Sequence, residues 1–391
     1  MRYNFDEPVD RQGTSCVKYD SRKEVFGTDR VIPMWVADMD FKSPPFIIEA
    51  LRRRLEHEIL GYSIRPDEYF TSLKDWIKRR HNWDIKEDWV SFSPGIVPAL
   101  NICTLAYTKP DDSIIIQTPV YFPFFNAVTD HGRKILYNRL IEEDGFWKID
   151  FEDLEQKATQ GASMLFLCNP HNPVGRAWNH DELSTLADIC LKNDILIVSD
   201  EIHSDLILRG YKHIPLAGLS DEIAESTITC MAPSKTFNIA GLSTSSMIIS
   251  NKLLKHKFDK TIETLHITGG NIFGTHASIA AYKHGDEWLD EMLEYITINI
   301  EFVIEKLKDT GYINPVPPEA TYMIWLDCRQ MGMSPEELNR FFIDEAATGL
   351  SEGSMFGPGG EGFMRMNIAC PFETVKKAIN NIRNALLKLD K

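Results

Sequence analysis

Short apolar runs alternate with helical patterns through the middle of the chain. Between about residues 95 and 250, each run is bounded by Gly, Pro, Asn or Asp, and segments with apolar residues at helical spacing separate the runs. Short runs with such boundaries predict strands. The predicted strands are 113–117, 134–140, 164–168, 195–199, 226–231 and 244–250, and the predicted helices are 96–107, 121–131 and 180–192.

The order of these elements indicates an α/β fold. Strands that are apolar on both faces and joined through helices are typical of a parallel sheet that is covered on both sides. After about residue 285 a long helical pattern comes before alternating strands and helices, which predicts a smaller α+β domain. The elements predicted there are helices 286–308, 335–345 and 372–388 and strands 322–326 and 363–368.

The chain is therefore expected to have three parts. Residues 1–45 are rich in Pro, Asp and Gly and predict an irregular arm. Helical patterns at 46–58 and 67–80 open a large domain, 46–284, and the small α+β domain is 285–391. A chain of 391 residues is long enough to build two domains around a substantial core.

Charge and composition exclude several classes of function. The chain has 42 basic and 57 acidic side chains, a formal charge of −15, and its basic runs 52–54 and 78–80 lie among acidic and aromatic residues at helical spacing. No nucleic-acid partner is therefore expected. Because no apolar run approaches the length of a membrane span and the N-terminal residues contain no apolar signal region, no membrane partner is expected either.

Cysteine usage bears on the cellular compartment. The seven cysteines are scattered, odd in number and without a CxxC pair. This pattern argues against a disulfide framework or a zinc site and favours a reducing environment. We therefore expect a cytoplasmic protein.

Ligands of open α/β sheets gather at the carboxyl ends of the strands, so the residues that follow each strand matter most. After strand 226–231 the chain reads MAPSKTFNIAGL, in which Pro233 and Gly241 break regular structure on either side of Lys235. Lysines more often lie on solvated helix faces beside acids, but this one has no acidic neighbour in the sequence. It is therefore expected to lose its proton readily and to condense with an aldehyde.

Acidic residues follow the preceding strand. The run DEIHSD, residues 200–205, comes directly after strand 195–199, and a carboxylate buried there, such as Asp200, needs a cation or a strong donor. The acidic and imidazole side chains of this run are also potential metal ligands. Their spacing matches no known metal motif, so no metal is expected.

Two more strand ends complete the set of candidate ligand-binding residues. NPHNPVG, residues 169–175, predicts a rigid turn that places its asparagine side chains, and Gly95 in SFSPGIV opens a helix whose free N–H groups favour a phosphate. Each feature alone is more often ordinary turn or helix-start chemistry. Together, a phosphate seat, an asparagine donor, a carboxylate and a lysine suit pyridoxal 5′-phosphate, whose aldehyde bonds a lysine and whose ring nitrogen needs an acidic partner.

These motifs resemble those of known enzymes. Their order resembles that of the aspartate aminotransferase superfamily, the fold-type I enzymes that use pyridoxal phosphate. More narrowly, PMWVADMDF, DEIHSDL, APSKTFNIAGL and MRMNIACP resemble carbon–sulfur lyases of the cystathionine β-lyase and cystalysin type, over nearly the whole chain. The resemblance implies a mostly parallel, seven-stranded sheet in a large cofactor-binding domain, and an arm that contributes to the small domain and the active site. The matching positions, in chain order, are Gly95, Tyr121, NPHNPVG, Asp200, Lys235 and Arg365.

The resemblance implies a role in cofactor binding for each matching residue. Lys235 matches the lysine that bonds the cofactor, Asp200 the partner of its ring nitrogen, and Asn172 the donor to its phenolic oxygen. His203 stands near that oxygen, where aminotransferases commonly have a tyrosine, and it agrees with the lyases. Tyr121 matches the aromatic residue that stacks on the ring.

The phosphate is expected to bind at a turn of the large domain. Gly95, Ile96 and Val97 match this turn, and Ser234 is a further candidate. Tyr62 matches a tyrosine that reaches the phosphate of the neighbouring subunit, which implies a homodimer with shared active sites.

Part of the phosphate site departs from the aminotransferase pattern. Aminotransferases of this fold often have a serine three residues before the lysine and an arginine eight residues after it, whereas this chain has Ala232 and Ser243. The phosphate must then be held by helix N–H groups, by Ser234 or another hydroxyl, and by Tyr62.

The substrate is expected to bind through its α-carboxylate. Arg365 matches the arginine whose planar fork makes two charge-assisted hydrogen bonds with this carboxylate, and the backbone at Val36 and Ala37 is expected beside it.

The expected function is a β-elimination that cleaves sulfur amino acids to pyruvate, ammonia and a thiol such as homocysteine or sulfide. Lys235, Tyr121 and Asp200 are the expected catalytic residues, and both Lys235 and Tyr121 stay open as the acid that assists the leaving sulfur. An aminotransferase of class I or II is the alternative, although His203 and residues 35–40 favour the lyase. A regulatory binding protein with secondary lyase activity is a minor alternative, because fold alone does not exclude it.

Overall fold

The protein is described by a computed structural model that covers residues 2–389. Its main element is a seven-stranded sheet, with the order β1-β7-β6-β5-β4-β2-β3 when the strands are numbered along the chain. The strands are β1 Val90–Ser93, β2 Ser113–Thr118, β3 Lys134–Arg139, β4 Ala162–Cys168, β5 Leu196–Asp200, β6 Thr227–Met231 and β7 Ser245–Ile248.

The predicted fold class is confirmed, because the sheet is mostly parallel and carries seven strands. All neighbouring strands pair in parallel except β7, which is antiparallel to both β1 and β6. Strand β1 was predicted only through its end before Gly95 and without bounds, because its sequence, VSFS, contains too few apolar residues to form a run.

The register of the parallel strands brings the sequence motifs to one edge of the sheet. Cys168 pairs with Asp200, which pairs with Cys230, so β4, β5 and β6 end side by side. The chain leaves these strands as NPHNPVG, DEIHSD and APSK. Because helices cover both faces of the sheet, its edge is the place where charged side chains can meet a ligand.

Helices pack on both sides of the large sheet. The predicted helices 96–107 and 180–192 are found with the expected bounds, and the second begins with a capping box between Asn179 and Glu182. Among residues 2–389, no helix combines the length and apolar character needed to cross a membrane. The other α-helices of this part are Pro45–Leu55, Asp67–His81, Pro123–Thr129, Phe151–Ala158, Asp221–Glu225, Pro233–Thr236, Lys252–Thr264 and Ile272–His284. Short 3-10 turns lie at Glu87–Trp89, Leu216–Gly218 and Ala240–Leu242. A hairpin pairs Ile141–Glu143 with Phe146–Lys148.

A second, antiparallel sheet lies in the C-terminal part, with the order β8-β9-β11-β10. It is accompanied by the long helix Asp286–Lys308 and the last helix, Phe372–Leu386, which contact each other. Its strands are β8 Asn314–Val316, β9 Met323–Asp327, β10 Ser351–Glu352 and β11 Phe363–Asn367, with 3-10 turns at Arg329–Met331 and Gly353–Phe356.

The prediction of one α-helix over 335–345 is wrong in its second half. The α-helix Pro335–Arg340 continues as a wider π-helical turn, Phe341–Glu345, closed by the N–H of Ala346 on the carbonyl five residues earlier at 3.0 Å. Both phenylalanines of this turn are buried. The wider turn therefore directs two consecutive rings into the core.

The N-terminal arm joins the two sheets. After the short helices Val17–Asp20 and Arg22–Phe26, the strand Ile32–Pro33 pairs in parallel with Thr348–Gly349. Residues 35–41, which we call the strap, then pass over the carboxyl edge of the large sheet. The strap thereby forms one wall of a cavity at that edge.

Candidate active site

A cavity of about 190 Å³ opens where β4, β5 and β6 end. The loops after these strands, the N-terminus of the helix that follows β1, and the strap form its walls. The predicted site residues that line the cavity are Ala37, Gly95, Ile96, Val97, Tyr121, Asn172, Asp200, His203, Ser234 and Lys235.

Lys235 lies half-buried in a single helical turn directly after β6, and its Nζ donates to the carbonyl of Ala37 at 2.7 Å. Burial and the charge of Arg365 lower the pKa of Lys235 to about 8, while Asp38 and Asp200 oppose this change. The lysine therefore has acidic neighbours in space that its sequence does not reveal. Its pKa is lowered by desolvation and a nearby cation, and not by the absence of acids.

Asp200 is buried at the end of β5. Its carboxylate accepts a hydrogen bond from the N–H of Ile202 at 3.1 Å. Burial raises the pKa of Asp200 to about 7, with Glu201 adding to the effect and Lys235 opposing it. A carboxyl group in this condition ionises when a cation comes beside it, as a protonated pyridine nitrogen would.

The turn after β4 fixes Asn172 from three sides. Its N–H donates to Sγ of Cys168 at 3.4 Å, its carbonyl accepts from the N–H of Tyr121 at 3.2 Å, and its Oδ1 accepts from Nη1 of Arg365 at 3.0 Å. The side-chain oxygen is thus occupied. Nδ2 of Asn172 stays available as a donor in the cavity, as expected for a contact with a phenolic oxygen.

His203 is buried beside these groups, with its ring edge-on to Tyr322 at a centroid distance of 6.3 Å. Burial, with the charges of Lys235 and Arg365, lowers the pKa of His203 to about 3, so the imidazole is neutral at neutral pH. A neutral imidazole donates through one nitrogen and accepts through the other. Such a ring can therefore serve as a second donor near the phenolic oxygen.

The helix after β1 presents a small set of free N–H groups. Pro98, in its first turn, has no N–H, and the N–H of Ala99 is taken by the carbonyl of Gly95 at 3.1 Å. Within the described part of the chain, the N–H groups of Ile96 and Val97 have no backbone partner at the start of the helix. This end of the cavity therefore favours an anion.

Arg365, on β11, reaches the cavity wall from the C-terminal part of the chain. Its Nη2 donates to the carbonyl of Trp35 at 2.9 Å and to Oγ of Ser351 at 3.3 Å, and its guanidinium lies 4.8 Å from the ring centre of Phe356. Burial lowers the pKa of Arg365 to about 10. Since no carboxylate among residues 2–389 pairs with this buried cation, an anionic ligand group would complete its surroundings.

The strap carbonyls at Val36 and Ala37 bind protein side chains, and the expected role of this backbone beside the substrate carboxylate stays a prediction. The carbonyl of Val36 accepts from Nδ2 of Asn367 at 2.5 Å, and the carbonyl of Ala37 accepts from the hydroxyl of Tyr322 at 3.1 Å in addition to the lysine. The strap residue that contacts the site arginine is Trp35. The backbone at Val36 and Ala37 thus anchors protein side chains through its carbonyl groups.

Two asparagines that hold the strap were not found by sequence analysis. Nδ2 of Asn238 donates to the carbonyls of Met39 and Phe41, both at 2.9 Å, and its Oδ1 accepts from the N–H of Met39 at 3.0 Å. Asn367 also donates to the carbonyl of Asp38 at 2.7 Å. These contacts join residues far apart in the chain, and no local pattern signals them.

Tyr62 does not line the cavity of its own chain. It is fully exposed, and its neighbours Ile59, Leu60 and Ile64 are 69%, 59% and 86% exposed. The role of Tyr62 in a neighbouring subunit stays a prediction.

The other acidic residues of DEIHSD form separate buried pairs. Glu201 lies 2.8 Å from Nε2 of His213, and Asp205 lies 2.8 Å from both Nε2 of His81 and the hydroxyl of Thr236. Within residues 2–389, no group of three or more His, Cys, Asp or Glu side chains is arranged to hold a metal ion. Asp205 instead anchors the helical turn that carries the lysine.

The residues of the cavity fit pyridoxal phosphate. The lysine, the poised carboxyl of Asp200, the free amide nitrogen of Asn172 and the open helix N-terminus at Gly95 line one space. These groups match, respectively, an aldehyde, a basic ring nitrogen, a phenolic oxygen and a phosphate.

Comparison with known proteins agrees with this chemistry. The profile of the family Aminotransferase class I and II matches residues 29–382. The chain is 44% identical over 385 residues to cystathionine beta-lyase PatB of Bacillus subtilis (strain 168), covering 98% of this chain and 100% of that protein. The chain therefore belongs to the aminotransferase class I and II family.

Solved structures narrow the class to carbon–sulfur lyases. Cystalysin from Treponema denticola, which contains a pyridoxal 5′-phosphate cofactor, has a TM-score of 0.97 at 38% identity and full coverage of both chains (100%). The pyridoxal-phosphate-bound C–S lyase from Staphylococcus hominis has a TM-score of 0.91 at 36% identity, covering 98% of each chain. The expected cofactor and the expected class, a pyridoxal-phosphate-dependent carbon–sulfur β-lyase, are confirmed.

Proposed function

We propose that this cavity catalyses β-elimination from a sulfur amino acid, giving pyruvate, ammonia and a thiol. The observation that carries the proposal is the environment of Lys235. Its half-buried amine has a pKa lowered to about 8 and shares one cavity with Asp200. A lysine in this state is a nucleophile toward an aldehyde and, once released, a base toward a Cα proton.

Each residue around the cavity has a separate task. The bound cofactor supplies an electron-withdrawing ring that weakens the bonds to the substrate's Cα proton and Cβ sulfur. Asp200 keeps the ring nitrogen protonated, and Asn172 and His203 donate to the phenolic oxygen. Arg365 binds the α-carboxylate through its planar guanidinium, which fixes Cα near the amine of Lys235.

The residues of the cavity carry out two proton transfers. Lys235 accepts the proton from Cα, the electron pair left at Cα forms a double bond to Cβ, and the sulfur leaves with the electrons of the broken Cβ–S bond and takes up a proton. The aminoacrylate that is released takes up water and gives pyruvate and ammonia. Either Lys235 or Tyr121 supplies the proton for the sulfur. Burial raises the pKa of Tyr121, so its phenol keeps its proton at neutral pH and can act as a donor.

We also propose that the protein acts as a homodimer with shared active sites. The segment with Ile59, Leu60, Tyr62 and Ile64 exposes apolar side chains that a second copy would cover. In that arrangement Tyr62 reaches the phosphate in the partner's cavity. A cytoplasmic location agrees with the seven cysteines, which are all free thiols.

Substitution of the lysine tests the proposed reaction. Lys235→Ala should abolish pyruvate and thiol release from cystathionine and cysteine, and it should remove the visible absorbance band that borohydride bleaches in the wild-type holoenzyme. Lys257→Ala, at an exposed lysine of the large domain, is the matched control and should change neither. Wild-type protein that converts its cofactor to the amine form and requires a keto acid would instead be an aminotransferase.

Subunit mixing tests the shared sites. Lys235→Ala and Tyr62→Ala proteins should each be impaired, and their heterodimer should contain one site with both defects and one intact site. Since random exchange makes half of the dimers mixed, about a quarter of the sites should recover activity. No recovery after confirmed subunit exchange would contradict the shared site.

A further inference from the structure

A buried lysine lies in the N-terminal arm, outside the cavity. Lys18, in the short helix Val17–Asp20, is only 1% exposed, and no step of the proposed reaction uses it. Its Nζ lies 3.0 Å from Oδ2 of Asp40 and 3.7 Å from Oδ1 of Asp38, and it donates to the carbonyl of Asp38 at 3.3 Å. Because a buried ammonium group is costly unless carboxylates compensate it, the position of Lys18 is tied to that of two carboxylates of the strap.

Arg11 brings a second cation to the same two carboxylates. Its Nη1 donates to Oδ1 of Asp40 at 2.6 Å, and its Nη2 donates to Oδ2 of Asp38 at 2.6 Å. The hydroxyl of Tyr19 adds a hydrogen bond to Oδ2 of Asp40 at 3.1 Å. Two cations of the arm thus balance two carboxylates of the strap, and we call these four charged side chains the arm cluster (Arg11, Lys18, Asp38 and Asp40).

The arm cluster lies directly beside the backbone that contacts the amine of Lys235. The carbonyl of Ala37, the residue before Asp38, accepts from Nζ of Lys235 at 2.7 Å. On the other side of Ala37, Nε1 of Trp35 donates to the carbonyl of Lys18 at 3.1 Å. Lys18 therefore contacts the strap on both sides of the carbonyl that binds the amine.

The charges of the arm cluster also affect the amine. Burial, and after it the charge of Arg365, lower the pKa of Lys235, whereas Asp38 and Asp200 raise it. Loss of a cation from the arm cluster would leave a net negative charge at the strap, and a strap that moved away would admit water to the amine. Because both changes favour the protonated amine, both would raise its pKa.

We propose that Lys18 and Arg11 are positioning residues of the active site. They hold the strap carboxylates in place, and they thereby keep the carbonyl of Ala37 on the amine of Lys235. Both act through the strap, and neither lines the cavity itself. The inference rests on the proposed function, because it concerns the lysine that carries that function.

The test measures the pKa of Lys235 in the full-length protein after removal of the cofactor. Trace labelling with acetic anhydride across a pH series, followed by peptide mass spectrometry, gives the midpoint at which the amine loses its proton. Lys18→Met keeps an unbranched side chain and removes the charge. It should raise the midpoint by about one unit above the wild-type value, so that labelling near pH 7 becomes roughly tenfold slower.

Two further variants make the test specific. Arg11→Gln removes the other cation from a side chain that is 19% exposed, so it disturbs the buried core less, and it should shift the midpoint in the same direction. Lys42→Met is the matched control, because Lys42 directly follows the strap and forms an exposed ion pair with Glu7. It should leave the midpoint of Lys235 unchanged.

The outcomes separate positioning from a purely structural role. If Lys18→Met lowers Tm but leaves the midpoint of Lys235 at its wild-type value, the inference is overturned, as it is if Lys42→Met shifts the midpoint equally. Should Lys18→Met fail to fold, an unshifted midpoint in Arg11→Gln overturns it instead. A wild-type holoenzyme that releases neither pyruvate nor thiol, while the midpoint still shifts in the arm variants, would overturn the proposed reaction alone.

Discussion

Two walls of the active-site cavity are built in different ways. On one side, Asp200 ends a parallel strand and Asn172 and Lys235 follow the ends of two others, so the register of the large sheet sets their spacing. On the other side, the strap has no regular structure of its own. Its position depends on side chains that donate to its backbone carbonyl groups.

The strap is held at almost every residue. Its carbonyl groups accept from side chains of β11 and of the segment after β6, and two of those donors are the functional cations of the site. The carbonyls of Trp35, Val36, Ala37, Asp38, Met39 and Phe41 accept from Arg365, Asn367, Lys235, Asn367, Asn238 and Asn238, respectively.

This difference separates residues that take part in the reaction from residues that position other groups of the site. A change at a strand end removes a chemical group and leaves its wall in place, because a continuous ladder of backbone hydrogen bonds supports it. A change under the strap removes no reacting group but moves the carbonyls that contact Lys235 and Arg365. The first kind of change should therefore affect catalysis far more than stability, and the second should affect both.

Asp200→Asn should have the largest effect, because the sheet wall stays intact while the ring nitrogen loses its acidic partner. We expect kcat/KM for cystathionine to fall about 100- to 1000-fold, with little change in Tm. Asp181→Asn, at an exposed aspartate that begins a helix, is the matched control. A loss below tenfold would remove Asp200 from the catalytic set.

Arg365→Lys tests the residue that touches both walls. Lysine keeps the charge but cannot contact Asn172, the strap and a carboxylate with one planar group, so we expect KM to rise about 30-fold with a smaller change in kcat. Arg329→Lys is a matched control, because that arginine also lies 4.8 Å from a phenylalanine ring but on the surface. Equal effects on KM in both variants would contradict a role in carboxylate binding.

The sheet wall could be predicted from the sequence, and the strap wall could not. Asp200 and Lys235 follow apolar runs that identify strands, and parallel strands bring their carboxyl ends together, so local patterns were sufficient to group these residues. Asn238 and Asn367 act on backbone groups about 200 and 330 residues away in the chain. Asparagine also occurs in ordinary turns. Every residue type has a backbone carbonyl, so the sequence does not show which carbonyl accepts a hydrogen bond.

Asn238→Gly should loosen the strap without removing a reacting group. Glycine tolerates the left-handed backbone found at this position, with φ of 55°, so the loss is confined to three hydrogen bonds. We expect the free energy of unfolding to fall by about 2 kcal/mol and kcat/KM by about three- to tenfold. Urea denaturation and steady-state kinetics measure the two effects.

Asn251→Gly is the control for the strap variant. Asn251 also makes three side-chain hydrogen bonds, but it caps the helix Lys252–Thr264 away from the cavity. It should leave kcat/KM unchanged. If both variants retain full activity, the strap does not position the site.

Asp38→Asn should have the smallest effect of these variants. It sharpens the comparison of the two walls, because it removes a negative charge of the strap that acts on the amine of Lys235. Asp38 raises the pKa of Lys235 against the effect of burial, so its removal should lower that pKa further below about 8. A lower pKa means more neutral amine at pH 7, and labelling of Lys235 by cyanate in the apo-protein should become roughly threefold faster. Peptide mass spectrometry across a pH series measures the rate, and Asp20→Asn, at an exposed acid of the same arm, should leave it unchanged. Slower labelling of Lys235 in the Asp38 variant would mean that loss of the ion pair with Arg11 moves the strap more than the lost charge affects the amine.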